Sequence, residues 1–291
     1  MVGAIHALAL ERSTAAEASG ALIPLSTAVV DQASWHPFQI RRLLSRTPKH
    51  LRGGGPKPNP FLPWDLELEV QRLGSSHLVL LNKFPVQRGH LLLITQQWQP
   101  QAGWLEPSDW QALAEVEADT PGLWFFNSCA AAGASQPHRH LQLLPRHADE
   151  TSCPLASDLL AQLAGQASPW PWAYRLSRRH ACGTADAAAE LQELYQGHAV
   201  ELGLGHHQAQ PVPQHPYNLV FDRHWLMTVR RTQEHWAGFS VNALGFAGSL
   251  LITEHSDLGW LQTNGPLALL QAVAAPNRGF SDAGSLVPAV G

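Results

Sequence analysis

Gly133-Ala134-Ser135-Gln136-Pro137-His138-Arg139-His140-Leu141-Gln142 decides how this chain is read. Pro137 and the small residues ahead of it make a loop, and residues 138–144 (HRHLQLL) have the composition of a strand. Side chains alternate faces along a strand, so His138, His140 and Gln142 share one face and Arg139, Leu141 and Leu143 the other. Three polar groups in a row admit three readings. One is a solvated edge strand, which a chain with 16 histidines produces easily. Another is a metal site, in which a third ligand such as His147 or Cys153 joins the His-x-His pair. The third is nucleophilic catalysis at phosphorus: one imidazole attacks, and a flanking imidazole and amide hold it and its adduct. In that reading the preceding loop supplies backbone N–H groups for phosphate oxygens.

Outward from this stretch the sequence alternates strands and helices. Residues 77–82 (HLVLLN) and 90–95 (HLLLIT) read as two strands joined by a hairpin-like connection at 83–89. Residues 108–118 read as a helix with Ser108 as N-cap, and 122–127 (GLWFFN) as a strand running into the small-residue loop at 129–136. Upstream, 4–20 is an Ala/Leu-rich helix and 29–44, with Arg41 and Arg42, is expected to be partly helical. Residues 52–63 hold four prolines and three glycines, which excludes helix and central strand and leaves a loop. Downstream, helices are expected at 155–163 and 187–202, strands at 217–221, 225–230 and 238–242, and a helix at 266–275 before a polar tail.

An internal repeat runs through this order. The strand-turn-strand HLVLLNKFPVQRGHLLLIT has a counterpart in YNLVFDRHWLMTVRR. Asn127 precedes Ala132 and Gly133 by five and six residues, and Asn242 precedes Ala247 and Gly248 by the same offsets; Ser135 and Ser249 follow. The repeat implies an α+β fold of two pseudo-symmetric halves, one carrying the chemistry and the other degenerate. The halves are assigned to 1–150 and 211–291, with 151–210 a helical connection, all in one integrated unit.

Composition excludes several classes. Nineteen basic against 23 acidic side chains give a charge of −4, with no basic run to suit a nucleic-acid binder. A hydrophobic fraction of 45% with 11 tryptophans is too apolar for a disordered chain. No apolar stretch reaches the roughly 18–20 residues of a membrane span, and no secretory signal is visible. Three cysteines without a CxxC pair fit a reducing, cytoplasmic setting. Lysine is rare: only Lys49, Lys57 and Lys83 occur.

The pattern N-x5-GASQPHxHxQ resembles the histidine triad superfamily, in the branch with glutamine at the third triad position. The loop Gly-Ala-Ser-Gln, the LLNKFPV…HLLLIT pair, the KPNPF segment and the distal SVNALGFAGSLL stretch are similar to the ATP adenylyltransferase, or Ap4A (diadenosine tetraphosphate) phosphorylase, family. The resemblance implies a histidine-triad-like fold of the galactose-1-phosphate uridylyltransferase type, with two pseudo-symmetric antiparallel-sheet halves. It implies that His140 is the nucleophile that takes AMP from Ap4A, with His138 and Gln142 orienting it and contacting the transferred phosphate. Asn127, Gly133, Ala134, Ser135 and Gln136 would bind polyphosphate, joined by Lys57, Asn82 and Lys83 from the first half. Asn242, Ala243, Leu244, Ser249 and Thr253 would contact substrate from the second. Where relatives often carry Met and Lys this chain has Ser249 and Thr253, and Arg230 and Arg231 are candidates to compensate. The implied partners are Ap4A, ATP, ADP and inorganic phosphate, without nucleic acid or membrane. The protein is expected to be a monomer. Mg2+ is expected through the substrate phosphates, with no dedicated protein metal site and no organic cofactor. Two other readings compete: a nucleotidyltransferase acting on sugar phosphates, and a sensor that binds dinucleoside polyphosphates without turnover. His206, His207 and His215 read as a surface cluster. Activity is expected to fall as pH drops through the ordinary His pKa, about 6.5.

Overall fold

The structure, a computed structural model, describes residues 3–45, 59–147, 149–180 and 184–277. Lys57 and most of the 52–63 loop lie outside these residues. In chain order the described elements are α1 (Ala4–Ser19), β1 (Thr27–Val30), β2 (Gln39–Leu43), β3 (Glu69–Leu73), β4 (His77–Leu81), β5 (Leu91–Thr95), α2 (Pro107–Asp119), β6 (Gly122–Asn127), β7 (His140–Pro145), α3 (Ala156–Leu163), β8 (Tyr174–Arg178), α4 (Thr184–Glu201), β9 (Tyr217–Phe221), β10 (Trp225–Arg230), β11 (His235–Trp236), β12 (Phe239–Ser240), α5 (Ala243–Phe246), β13 (Ser249–Ile252) and α6 (Leu258–Val273).

Eight strands form one sheet in the order β3-β4-β5-β7-β6-β9-β10-β8, and every pairing in it is antiparallel. β6 pairs with β9 from Trp124 opposite Phe221 to Asn127 opposite Asn218, so the two halves of the chain share a continuous sheet. The α+β architecture read from the sequence is therefore present. β1, β2 and β13 form a small separate sheet, and β11 and β12 a short hairpin.

The period-2 pattern sorts the side chains. Val79, Leu81, Leu91, Leu93, Trp124, Phe126, Leu141 and Leu143 face α1, α2 and α4, where Ile5, Trp110, Leu113 and Leu191 close the core. Each such apolar side chain contributes about 1.5–3 kcal/mol when fully buried. The opposite face carries two separate apolar clusters. Phe61 packs with Leu78, Leu80, Leu92 and Ile94 under the first half; Phe125, Val220 and Met227 pack with Trp172, Phe246 and Leu269 under the second. His140 and Gln142 of β7 emerge between these clusters, opposite Ile94 and Leu92 of β5.

Several local expectations are corrected. Residues 29–44 are not partly α-helical: they form β1, a single 3-10 turn at Ala33–Trp35 and β2, because Val29-Val30 favours a strand and Pro37 cannot continue a helix. The N-cap of α2 is Glu106, not Ser108; Pro107 begins the helix, and the Asp109 carboxylate accepts the Glu106 N–H at 2.7 Å. The expected strand at 238–242 is reduced to β12. β8, an edge strand with Arg175 and Arg178 on a partly open surface, lacks the apolar alternation that would have announced it.

The repeat survives in local conformation more than in sheet position. Asn127 leads to a 3-10 turn (Ala130–Ala132) and then Gly133 at φ 89°; Asn242 leads to α5 and then Gly248 at φ 94°. The strand after Gly133 joins the centre of the large sheet, whereas β13 after Gly248 pairs with β2 in the small one.

Candidate active site

His140 opens β7, the fourth strand of eight, and is 3% exposed, which removes the solvated-edge reading. Its backbone is held by Gln101, whose Oε1 accepts the His140 N–H at 2.8 Å while Nε2 donates to the His140 carbonyl (3.2 Å) and the Asn127 carbonyl (2.7 Å). The ring Nδ1 lies 2.7 Å from the His138 carbonyl, which can only accept, so Nδ1 carries the proton. Nε2 then bears the lone pair, and no hydrogen bond within the described residues uses it. Burial pushes the pKa of His140 down to about 4; the His138 carbonyl opposes this shift and the His138 ring adds to it. The imidazole is therefore neutral at physiological pH, and burial moves its protonation below the ordinary value of about 6.5.

His138 holds the His140 ring through its backbone carbonyl rather than through its own ring. The ring is committed elsewhere: Nε2 donates to the Thr95 carbonyl at 2.8 Å, beside Thr95 Oγ1 at 2.9 Å, and Nδ1 accepts from Asn59 Nδ2 at 3.0 Å. Burial lowers its pKa as well. Asn59 Oδ1 in turn accepts the Phe61 N–H, and Phe61 packs against both rings, 5.6 Å from His138 and 5.5 Å from His140.

Gln142 is fixed by a group the sequence did not single out. His90 Nε2 lies 3.0 Å from Gln142 Oε1, and His90 Nδ1 lies 3.3 Å from Asn82 Nδ2. Asn82 is an amide donor there, since its Oδ1 accepts the Phe84 N–H, so His90 accepts at Nδ1 and donates from Nε2. That leaves Gln142 with its carbonyl occupied and its NH2 open. Burial holds His90 neutral, with a pKa near 3.

The loop after β6 and the turn before α5 meet here. Asn127 Oδ1 accepts from Asn218 Nδ2 (2.8 Å) and from the Ala243 N–H (2.9 Å), bringing the two repeat copies into contact. Gly133 is required by this approach: at φ 89° a Cβ would stand 2.7 Å from Asn242 Cβ. Asn242 caps α5 by accepting the Leu244 N–H at 3.0 Å. The N–H groups of Ala132, Gly133 and Ala134 close turns onto Cys129 and Ala130, which leaves those of Ser135 and Gln136 for a ligand. Gln136 Oε1 is buried without a partner.

Thus His138, His140, Gln142, Asn82, Asn127, Gly133, Asn242, Ala243 and Leu244 are linked by contact. Lys83 is exposed at the turn after Asn82. Ser249 and Thr253 flank β13 in the small sheet, where Thr253 closes a turn with Ser256 and His255. Arg230 bonds His215 and the Leu202 carbonyl, and Arg231 is buried inside the fold. His206 and His207 stack at 4.7 Å on the surface, apart from His215. The residues that sequence reasoning missed are Asn59, Phe61, His90, Thr95, Gln101 and Asn218. His90 alone carried a signal, sharing strand parity with Leu92.

Behind the strand, Arg139 donates to Asp109 Oδ2 at 2.9 Å, and Asp109 Oδ1 lies 3.0 Å from His77 Nε2; the trio is buried. Among the described residues no group of three or more His, Cys, Asp or Glu side chains is placed to hold a metal ion. No helix among them is long and apolar enough to cross a membrane.

Comparison with known proteins bears on the family and the fold. The family profile of the Ap4A phosphorylase N-terminal domain matches residues 2–161, and that of the ATP adenylyltransferase C-terminal domain matches residues 168–276. Protein APA1 of Saccharomyces cerevisiae is 34% identical over 132 residues, 41% of each chain. Diadenosine 5',5'''-P1,P4-tetraphosphate phosphorylase 2 of the same yeast is 34% identical over 100 residues, 30% of this chain and 31% of that protein. The aligned segments thus span less than half of either relative. In three dimensions the chain is similar to the yeast Ap4A phosphorylase Apa2 crystallised with Ap4A: TM-score 0.70 at 20% identity, over 95% of this chain and 99% of that one.

Proposed function

Since the chain belongs to the Ap4A phosphorylase and ATP adenylyltransferase family, we propose that it is a nucleotidyltransferase that splits Ap4A with inorganic phosphate into ATP and ADP. The observation that carries the reading is the neutral His140, its Nδ1–H tied to the His138 carbonyl and its Nε2 unengaged.

Nε2 attacks the α-phosphorus of Ap4A and a P–N bond forms as the P–O bond to ATP breaks. Phosphate then attacks the adenylyl-histidine from the face ATP left, giving ADP and restoring the imidazole. Two inversions leave the phosphorus with its original configuration, and the reverse direction makes Ap4A from ATP and ADP. Gln142 and Asn127, each with its carbonyl occupied inside the protein, present NH2 groups to the anionic chain. A glutamine here offers no titratable proton to a water molecule, which suits transfer to phosphate over hydrolysis. Ser135, Gln136 and the 242–244 turn complete the cradle. Mg2+ would ride on the substrate phosphates. One chain supplies both loops of the site, so a monomer suffices. A cytoplasmic setting fits the free thiols of Cys129 and Cys153.

The test is incubation with Ap4A with and without phosphate, reading the products by chromatography. ATP and ADP in equal amounts only when phosphate is present are expected; equal turnover without phosphate refutes the reading.

A further inference from the structure

Arg231 is 1% exposed, and among the described residues no carboxylate hydrogen-bonds to it, Glu234 acting on it only through space. Its five N–H groups end on neutral oxygens: Nε on the Val273 carbonyl, Nη1 on Asn218 Oδ1 (2.5 Å) and the Ala132 carbonyl (3.4 Å), Nη2 on the Gln233 and Val241 carbonyls. Phe246 lies against the guanidinium at 5.2 Å. Burial lowers its pKa to about 10, and the side chain stays charged at neutral pH. An unpaired buried charge is costly, and neutral groups would tie five carbonyls together without that cost.

Two of those partners belong to the site. Ala132 immediately precedes Gly133, and Val241 immediately precedes Asn242. The third, Asn218, is fully buried and passes the orientation on. With Oδ1 accepting from Arg231, its Nδ2 must donate, and it does so to Asn127 Oδ1 (2.8 Å) and the Ala132 carbonyl (2.9 Å). Asn127 therefore cannot turn its carbonyl toward the cleft. Its Nδ2 makes no hydrogen bond among the described residues and is not sealed in the interior.

We infer that Asn218 and Arg231 are positioning residues that hold Asn127 as a hydrogen-bond donor to a bound polyphosphate, whose negative charge offsets the buried charge of Arg231. This rests on the proposed function, which gives the cleft its anionic ligand.

The experiment uses the full chain and ATP as probe, with phosphorolysis of Ap4A measured in parallel. Asn218→Asp keeps the shape, gives Arg231 a carboxylate and turns the Asn127 amide round. ATP affinity is expected to fall by about 10-fold to 100-fold, the worth of one charge-assisted hydrogen bond. A folded Asn218→Asp protein that binds ATP within about twofold of wild type overturns the inference, because a merely structural link would do just that. Side-chain amide NMR of the asparagine-labelled wild type keeps the question open to refutation where that variant does not fold. ATP should shift the Asn127 NH2 signal, and an unmoved signal overturns the inference. Wild type that binds ATP but does not release ATP and ADP from Ap4A refutes the proposed function and leaves this assignment standing.

Discussion

Formation of the adenylyl-histidine should keep its rate well below the ordinary histidine pKa. His140 reacts as the neutral imidazole, and burial pushes its pKa down to about 4. At pH 5.5 a histidine with pKa 6.5 is only about 9% neutral, whereas one near 4 is about 97% neutral. The predicted rate of ATP release at pH 5.5 is thus within about 10% of the rate at pH 7.5, against a roughly tenfold loss for an ordinary histidine. The measurement is a single-turnover quench with Ap4A and no added phosphate. Omitting phosphate matters, since its own ionisation falls in the same range and would impose a slope on the second step. The internal phosphates of Ap4A stay ionised throughout. The fold must be intact at the lower pH, which near-ultraviolet circular dichroism of the 11 tryptophans reports. A midpoint near 6.5 in a folded protein would refute the assignment of a desolvated nucleophile.

The same burial makes the protein acid-sensitive. His90, His140 and His198 have pKa values pushed down to about 3, 4 and 4, so between pH 6.5 and 4 the unfolded chain takes up protons that the folded chain refuses. Stability is complete well above pH 6.5 and drops by about 1 kcal/mol per histidine at pH 5.5. Urea titrations from pH 7.5 to 5.0 should show that loss, and a flat midpoint would contradict it. His90→Phe removes the donor that fixes Gln142 and should lower kcat about 10-fold or more with a smaller change in KM, read by steady-state phosphorolysis. Asp109→Asn leaves Arg139 buried without its carboxylate and should cost about 3–5 kcal/mol in chemical unfolding. Gly133→Ala meets both the φ of 89° and the Asn242 Cβ, and should lower the Tm while weakening ATP binding in calorimetry.

The large sheet was legible where burial is two-sided. HLVLLN, HLLLIT, GLWFFN and YNLVF each lie in the middle of the sheet, covered on both faces, and such strands are written as continuous apolar runs. β8 and the β1–β2 pair were not legible, because an edge or small-sheet strand needs few apolar side chains and its partners lie far along the chain. β2 pairs with β13, some two hundred residues away, and nothing local in 29–44 announces that pairing. The repeat was legible as spacing, but spacing records local turns. The same Asn-turn-Gly unit delivers one strand to the core sheet and the other to a different sheet. The destination is set by the strand beyond each glycine, apolar and double-faced in β7, short and partly exposed in β13.

At the site, the sequence named most of the residues that the structure brings together but not which of their atoms meet. Strand parity put His138, His140 and Gln142 on one face, and the structure keeps them there. It also gives each a partner that parity cannot see: Thr95 and Asn59 for His138, Gln101 for His140, His90 for Gln142. Those partners decide the chemistry. An amide side chain presents either a donor or an acceptor, and an imidazole either nitrogen. The choice is made by hydrogen bonds from other strands and from the loop at 59–61. Reading the third triad position as glutamine therefore says little until His90 is placed beside it. With His90 donating to Oε1, the NH2 end is what a phosphate meets; with that partner removed, the same glutamine is free to turn and offer a lone pair to an anion. Asn127 poses the same choice, and Asn218 settles it from a strand of the other half. The Asn127 amide thus takes its orientation from a donor on β9, and it can do so because β6 and β9 are neighbours in one sheet that the two halves of the chain share.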